Sequence, residues 1–175
     1  MAENELINPR RKFQIEEAIL ILLLSLSLGG IFINDFSPDD GYGYWIIMIF
    51  VFAVFAIIIG WVQSKKRSID IKKIMLEQMQ HWLACLLVAG GAFLVQKAEG
   101  TKDTGLLILL ILSLSTMIDG LRVGWRFSLV GLFLGASAVI AAYTEHFFWI
   151  ELLIAIFIVI STILWEMWIE RRMQS

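Results

Sequence analysis

The most chemically suggestive residues of this 175-residue chain lie at the end of its fourth apolar run, in LSLSTMIDGLRVGWRFS, where Ser115, Asp119, Arg122 and Arg126 follow one another at separations of 4, 3 and 4 residues. On one continuous helix those separations stack the four side chains on a single face, and Asp119 can pair with Arg122. A carboxylate beside a guanidinium at the edge of an apolar run is a means of exchanging a proton or a cation with one side of a membrane. The plainer reading is that Asp119 neutralises Arg122 at the level of the lipid headgroups, beside a tight turn at Gly120 and Gly124.

Glu151 is the second intramembrane acid. It lies one turn inside the sixth apolar run, beyond Trp149, where a neighbouring helix or water must satisfy it. Glu145 and His146 sit just before it, and with Asp35, Asp39 and Asp40 they make that side acidic. Glu77, His81 and Cys85 recur at i, i+4 and carry ligand types that suit zinc or copper. They span about 12 Å of helix and cannot converge on one ion unaided, so no metal site is expected. The only histidines, His81 and His146, fall on opposite sides of the membrane, which argues against a shared haem or metal, and no cofactor is expected. No nucleophile elbow, phosphate loop or paired catalytic carboxylates occur, and the hydroxyls of Ser25, Ser27, Ser113, Thr116, Ser161 and Thr162 have no base beside them. The chain does not read as an enzyme.

The elements that must position these groups follow from composition. The chain is 59% hydrophobic and 17% charged, with a mean hydropathy of +0.79, outside the range of a water-soluble domain of this size. Six apolar stretches, at 18–34, 44–63, 79–96, 105–121, 127–143 and 147–168, approach the ~20 residues that a spanning helix needs. They are continuously apolar, as in IIMIFVFAVFAIII, where barrel strands would alternate. The expected fold is all-α and integral to the membrane, with six transmembrane helices packed as antiparallel hairpins in a single domain. The lone cysteine, Cys85, excludes an internal disulfide.

Orientation follows from the basic residues. With both termini cytoplasmic, twelve of the fourteen Lys and Arg residues fall on the cytoplasmic side and only Lys97 and Lys102 fall outside, as the positive-inside bias requires. The tryptophans support this, with Trp45 and Trp149 at outer ends and Trp61, Trp82, Trp125, Trp165 and Trp168 at inner ends. Arg10, Arg11 and Lys12 before the first run resemble the start of a signal peptide, but no A-x-A-like cleavage site follows, and the run is read as a retained span.

Residues 64–78 form the main polar insert, expected as a cytoplasmic basic amphipathic segment leading into the third span. Lys65, Lys66, Arg67, Lys72 and Lys73 can hold it on anionic headgroups, each lysine contributing on the order of 1 kcal/mol. A net charge of −2 without a basic stripe excludes nucleic acid as a partner. Gly131, Gly135, Ala138 and Ala142 form a small-residue stripe on the fifth span, a packing signal for another helix, with Gly90 and Gly91 as an internal candidate for its neighbour.

Two functions fit. The first is a non-catalytic polytopic subunit, scaffold or assembly factor of a complex in the bacterial inner membrane, with a membrane-protein partner or a second copy beside it. The alternative is a small oligomeric transporter or channel that moves a cation, proton or small solute past Asp119 and Glu151.

Overall fold

The computed structural model describes residues 9–67, 71–99, 104–144 and 147–174, and every regular element among them is a helix. In chain order these are α1 (Pro9–Phe36), α2 (Pro38–Arg67), α3 (Ile71–Glu99), α4 (Thr104–Val123), α5 (Trp125–Tyr143) and α6 (Phe148–Gln174). Each contains a segment long and apolar enough to cross a membrane, so the chain is a multi-pass membrane protein. The first three helices run well past the expected spans at one or both ends, because a helix that leaves the hydrocarbon still satisfies its own backbone groups.

Proline stands at the first position of α1 and of α2, where its missing N–H costs no hydrogen bond. Between α4 and α5 the break takes one residue, Gly124, whose φ of 145° is a conformation that a side chain resists. Its N–H donates to Gly120 O at 2.8 Å, and the Phe127 N–H donates back to Gly124 O at 2.9 Å. Helix α4 therefore stops at Val123, and Arg126 belongs to the next helix.

Helices α1, α2, α4 and α5 close a ring, each packed on the next, with α5 returning to α1. The core lies inside it, built on Leu20, Leu23, Leu24, Trp45, Ile49, Phe52, Ile108, Leu112, Val130 and Leu134. Helix α3 packs outside the ring on α2 and α4. Helix α6 packs on α1 and has no comparable contact with α5, although the two are joined by a short connection. The two outlying helices are the most exposed, with 22% of the α3 span and 17% of the α6 span buried.

Two tryptophans depart from the expected aromatic belt. Trp45 and Trp82 are 0% and 3% exposed, since each points into the bundle, and Gly30 on α1 leaves the room that the Trp45 ring fills. The other five are about half exposed or more. The expected surface segment 64–78 is divided: residues 64–67 complete α2, while 71–78 form the first two turns of α3. Lys72 and Lys73 are exposed there, whereas Gln78 is buried against α4. The side chains of Lys65, Lys66 and Arg67 lie outside the described residues.

Candidate functional site

The buried carboxylates among the described residues, Asp119, Glu151 and Glu17, lie in three places, each at a contact between helices. The first joins α3 to α4. Asp119 is 0% exposed, and its Oδ1 accepts a hydrogen bond of 2.8 Å from Gln78 Nε2. One turn along, His81 Nε2 lies 3.0 Å from the Ser115 carbonyl oxygen, and the indole of Trp82 is buried beside them. The sequence pointed instead to pairing with Arg122. Three residues along a helix leave the two side chains about 60° apart, and the Arg122 side chain is exposed at the helix end while Asp119 faces inward. Helix α3 contributes Gln78, His81, Trp82 and Cys85, so the stripe expected from Glu77, His81 and Cys85 is offset by one residue: Glu77 is exposed and Gln78 faces α4.

The second place joins α5 to α6. Glu151 is 0% exposed, and its Oε2 accepts a hydrogen bond of 2.7 Å from Ser137 Oγ. That hydroxyl also lies 2.8 Å from Phe133 O on its own helix. Removing it strands a buried acid in an otherwise apolar contact. Ser137→Ala is expected to lower stability by about 1 kcal/mol, while Ser25→Ala, at an exposed site with only a bond to Ile21 O on its own helix, leaves it nearly unchanged. Unfolding by sodium dodecyl sulfate in mixed micelles checks both. Glu145 and His146 lie outside the described residues.

The third place was not read from the sequence. Glu17 on α1, 7% exposed, has Oε2 3.5 Å from Arg126 Nε on α5 and accepts a hydrogen bond of 3.0 Å at Oε1 from Thr162 Oγ1 on α6. Arg126 therefore leaves the face expected for Ser115, Asp119 and Arg122, because the turn at Gly124 aims it at α1. A cavity of about 30 Å³ adjoins it, lined by Leu20, Leu23, Ile59, Gly124 and Val130, close to the share of space of one water molecule. Beyond Thr162 a cleft of about 600 Å³ opens between α5 and α6, walled by Trp125 and Leu129 on one side and Phe157, Ser161 and Trp165 on the other.

Asp119 and Glu151 are not brought together. Gly131 and Gly135 set the face of α5 that meets α4, since a Cβ on Gly131 would lie 2.6 Å from Met117 N, and one on Gly135 would lie 2.6 Å from Ser113 Oγ. Ser137 stands two residues, about 200°, beyond Gly135. Helix α5 thus separates the Asp119 group from the Glu151 group. Among the described residues no group of three or more His, Cys, Asp or Glu side chains is arranged to hold a metal ion.

The small-residue stripe of α5 is consumed inside the chain. Its neighbour is α4, where Ser113 Oγ donates to Gly131 O at 2.8 Å, and not Gly90 and Gly91 of α3. Ala138 is buried, but Ala142 is exposed and lies past the contact. No protein-family model matches the chain, and no curated protein or solved structure shows significant similarity to it.

Proposed function

We propose that this chain is a non-catalytic membrane subunit that presents helix α3 to a transmembrane helix of another protein. The observation that carries the reading is Gly90–Gly91. At Gly30, Gly41, Gly105, Gly120, Gly131 and Gly135 an added Cβ would collide with a neighbouring helix, so most of the described glycines mark close approach, with Gly43 near the start of α2 an exception. At Gly90 and Gly91 a Cβ would meet nothing within 4 Å.

Glycine inside a helix costs about 1 kcal/mol relative to alanine, and facing lipid it gains no packing in return. Leu87, Val88, Leu94 and Val95 are 58–69% exposed and flank Gly91 at helical spacing, giving an apolar stripe with a depression at its centre. Such a surface lets a second helix approach to backbone distance. The polar groups support the same reading, because each buried carboxylate is engaged in joining helices and α5 divides Asp119 from Glu151.

The remaining features of the proposal are a succession of antiparallel hairpins, cytoplasmic termini and a bacterial inner membrane, supported by the distribution of Lys and Arg. Lys72 and Lys73 then face the anionic headgroups. The test is purification from native membranes in mild detergent at the native expression level, with mass spectrometry of what stays bound. A membrane protein in fixed stoichiometry with the wild type, and lost from Gly91→Leu, is the expected result. A complex unchanged by Gly91→Leu and Gly90→Leu, or a chain that purifies alone, overturns the proposal.

A further inference from the structure

The contact between α3 and α4 contains an imbalance of donors and acceptors. Asp119, Gln78 and Trp82 are 0%, 3% and 3% exposed, and only one hydrogen bond joins them, from Gln78 Nε2 to Asp119 Oδ1. Asp119 Oδ2, Gln78 Oε1 and the Trp82 indole N–H are buried without a hydrogen-bond partner. Two of these three are acceptors. With Asp119 as a carboxylate, the Trp82 N–H is the buried donor at hand for Oδ2, and Gln78 Oε1 is left unsatisfied where water is scarce, at a cost of about 1–3 kcal/mol.

One proton changes the count. On Asp119 Oδ2 it turns one orphan acceptor into a donor, and Gln78 Oε1 is the acceptor on the side chain already bonded to the same carboxyl group. A carboxylic acid and a primary amide are complementary in this way, each offering one donor and one acceptor on adjacent atoms. We propose that Asp119 and Gln78 form a binding site for a single proton, held as a cyclic acid–amide pair: Gln78 Nε2 donates to Oδ1, and Oδ2 donates to Gln78 Oε1.

The alternative state is also supplied by the site. When the proton leaves Oδ2, the Trp82 N–H is the buried donor that the carboxylate takes as its second partner, and the Gln78 carbonyl is released. The charged or titratable groups whose field reaches Asp119 are His81 from α3 and Arg122 from α4 itself; among the described residues α2 and α5 add none. The two states differ in which α3 side chain pairs with Asp119 Oδ2, so the proton selects between two hydrogen-bond patterns of one contact. The inference does not depend on the docking surface of α3, which lies on the opposite side of that helix.

Isotope-edited infrared spectroscopy of the purified chain in lipid nanodiscs tests it without any partner. With carboxyl-¹³C aspartate incorporated, the wild type is expected to show a carbonyl stretch of a hydrogen-bonded carboxylic acid that moves with the label. It disappears in Asp119→Asn, and in Gln78→Leu it moves to the frequency of a weakly bonded acid. Asp119→Asn presents the same donor and acceptor pattern as the protonated acid, so its thermal unfolding midpoint is expected to match or exceed that of the wild type. A labelled acid band that survives in Asp119→Asn at neutral pH, where ordinary aspartates are ionised, the absence of any such band over the whole pH range in which the chain stays folded, or a clearly lowered midpoint for Asp119→Asn overturns the proposal.

Discussion

Arg126→Ala is expected to destabilise the bundle by about 3–5 kcal/mol, the largest loss from any single truncation considered. The side chain of Arg126 is nearly buried and faces Glu17 on another helix, and removing one partner of a buried pair leaves the other charge without compensation. Thr162 donates to the other oxygen of the same carboxylate, so the loss reaches α1, α5 and α6 together. Helix α6 is the element most affected, because its described packing is chiefly on α1. Glu17→Gln removes the charge but keeps an acceptor for Thr162, and it should cost less. In a double-mutant cycle Glu17→Ala and Arg126→Ala should couple by more than 1 kcal/mol. Equilibrium unfolding in mixed micelles measures both quantities, and additive single effects of a few tenths of a kcal/mol would show that the pair is solvated.

Gly131→Leu should be nearly as damaging, for a different reason. The atoms that a Cβ would meet there are the backbone nitrogen of Met117 and the backbone oxygen of Ser113, and backbone within a helix cannot rotate away as a side chain can. Helices α4 and α5 must separate, which also removes the bond from Ser113 to Gly131 O. Overpacking of this kind costs about 1–3 kcal/mol and more where nothing yields. The same substitution at Gly91 meets open space, and because leucine is the better helix former by nearly 1 kcal/mol it should leave the isolated chain as stable or more so. Thermal unfolding of both variants in detergent reads the contrast directly. Equal destabilisation at the two glycines would remove the distinction between an internal contact and an unoccupied one.

The six helices were legible because continuous apolar runs admit only helices in lipid, and the elements found overlap every expected span. What joins them was less so. Glu17, Arg126 and Thr162 are brought together from three helices, and no periodicity within one segment links residues so far apart in sequence. The available hint was Glu17 itself, an acid followed at helical spacing by Leu20 and Leu24 and therefore on the core side of α1. The expected face through Ser115, Asp119, Arg122 and Arg126 assumed one unbroken helix, and the assumption failed at Gly124. Asp119 and Glu151 were both singled out, Asp119 at the level of the headgroups and Glu151 one turn inside its span, but their donors, Gln78 and Ser137, are neutral residues that carry no signal until the helices are set side by side. The small-residue stripe of α5 was read as a packing surface with Gly90 and Gly91 as a candidate neighbour; Gly131 and Gly135 meet α4 instead and Ala142 is exposed, since spacing reveals a smooth face without revealing what covers it.

The proposed role of α3 requires another protein to cover it in the native membrane. The most direct measurement places a photo-activatable amino acid at Leu87 or Val95, on either side of Gly91, and at the exposed Leu132 of α5 as a control, in cells making the chain at its native level. A discrete protein adduct is expected from Leu87 and Val95, absent from Leu132 and lost when Gly91→Leu is added. Adducts with lipid alone from all three positions would contradict it.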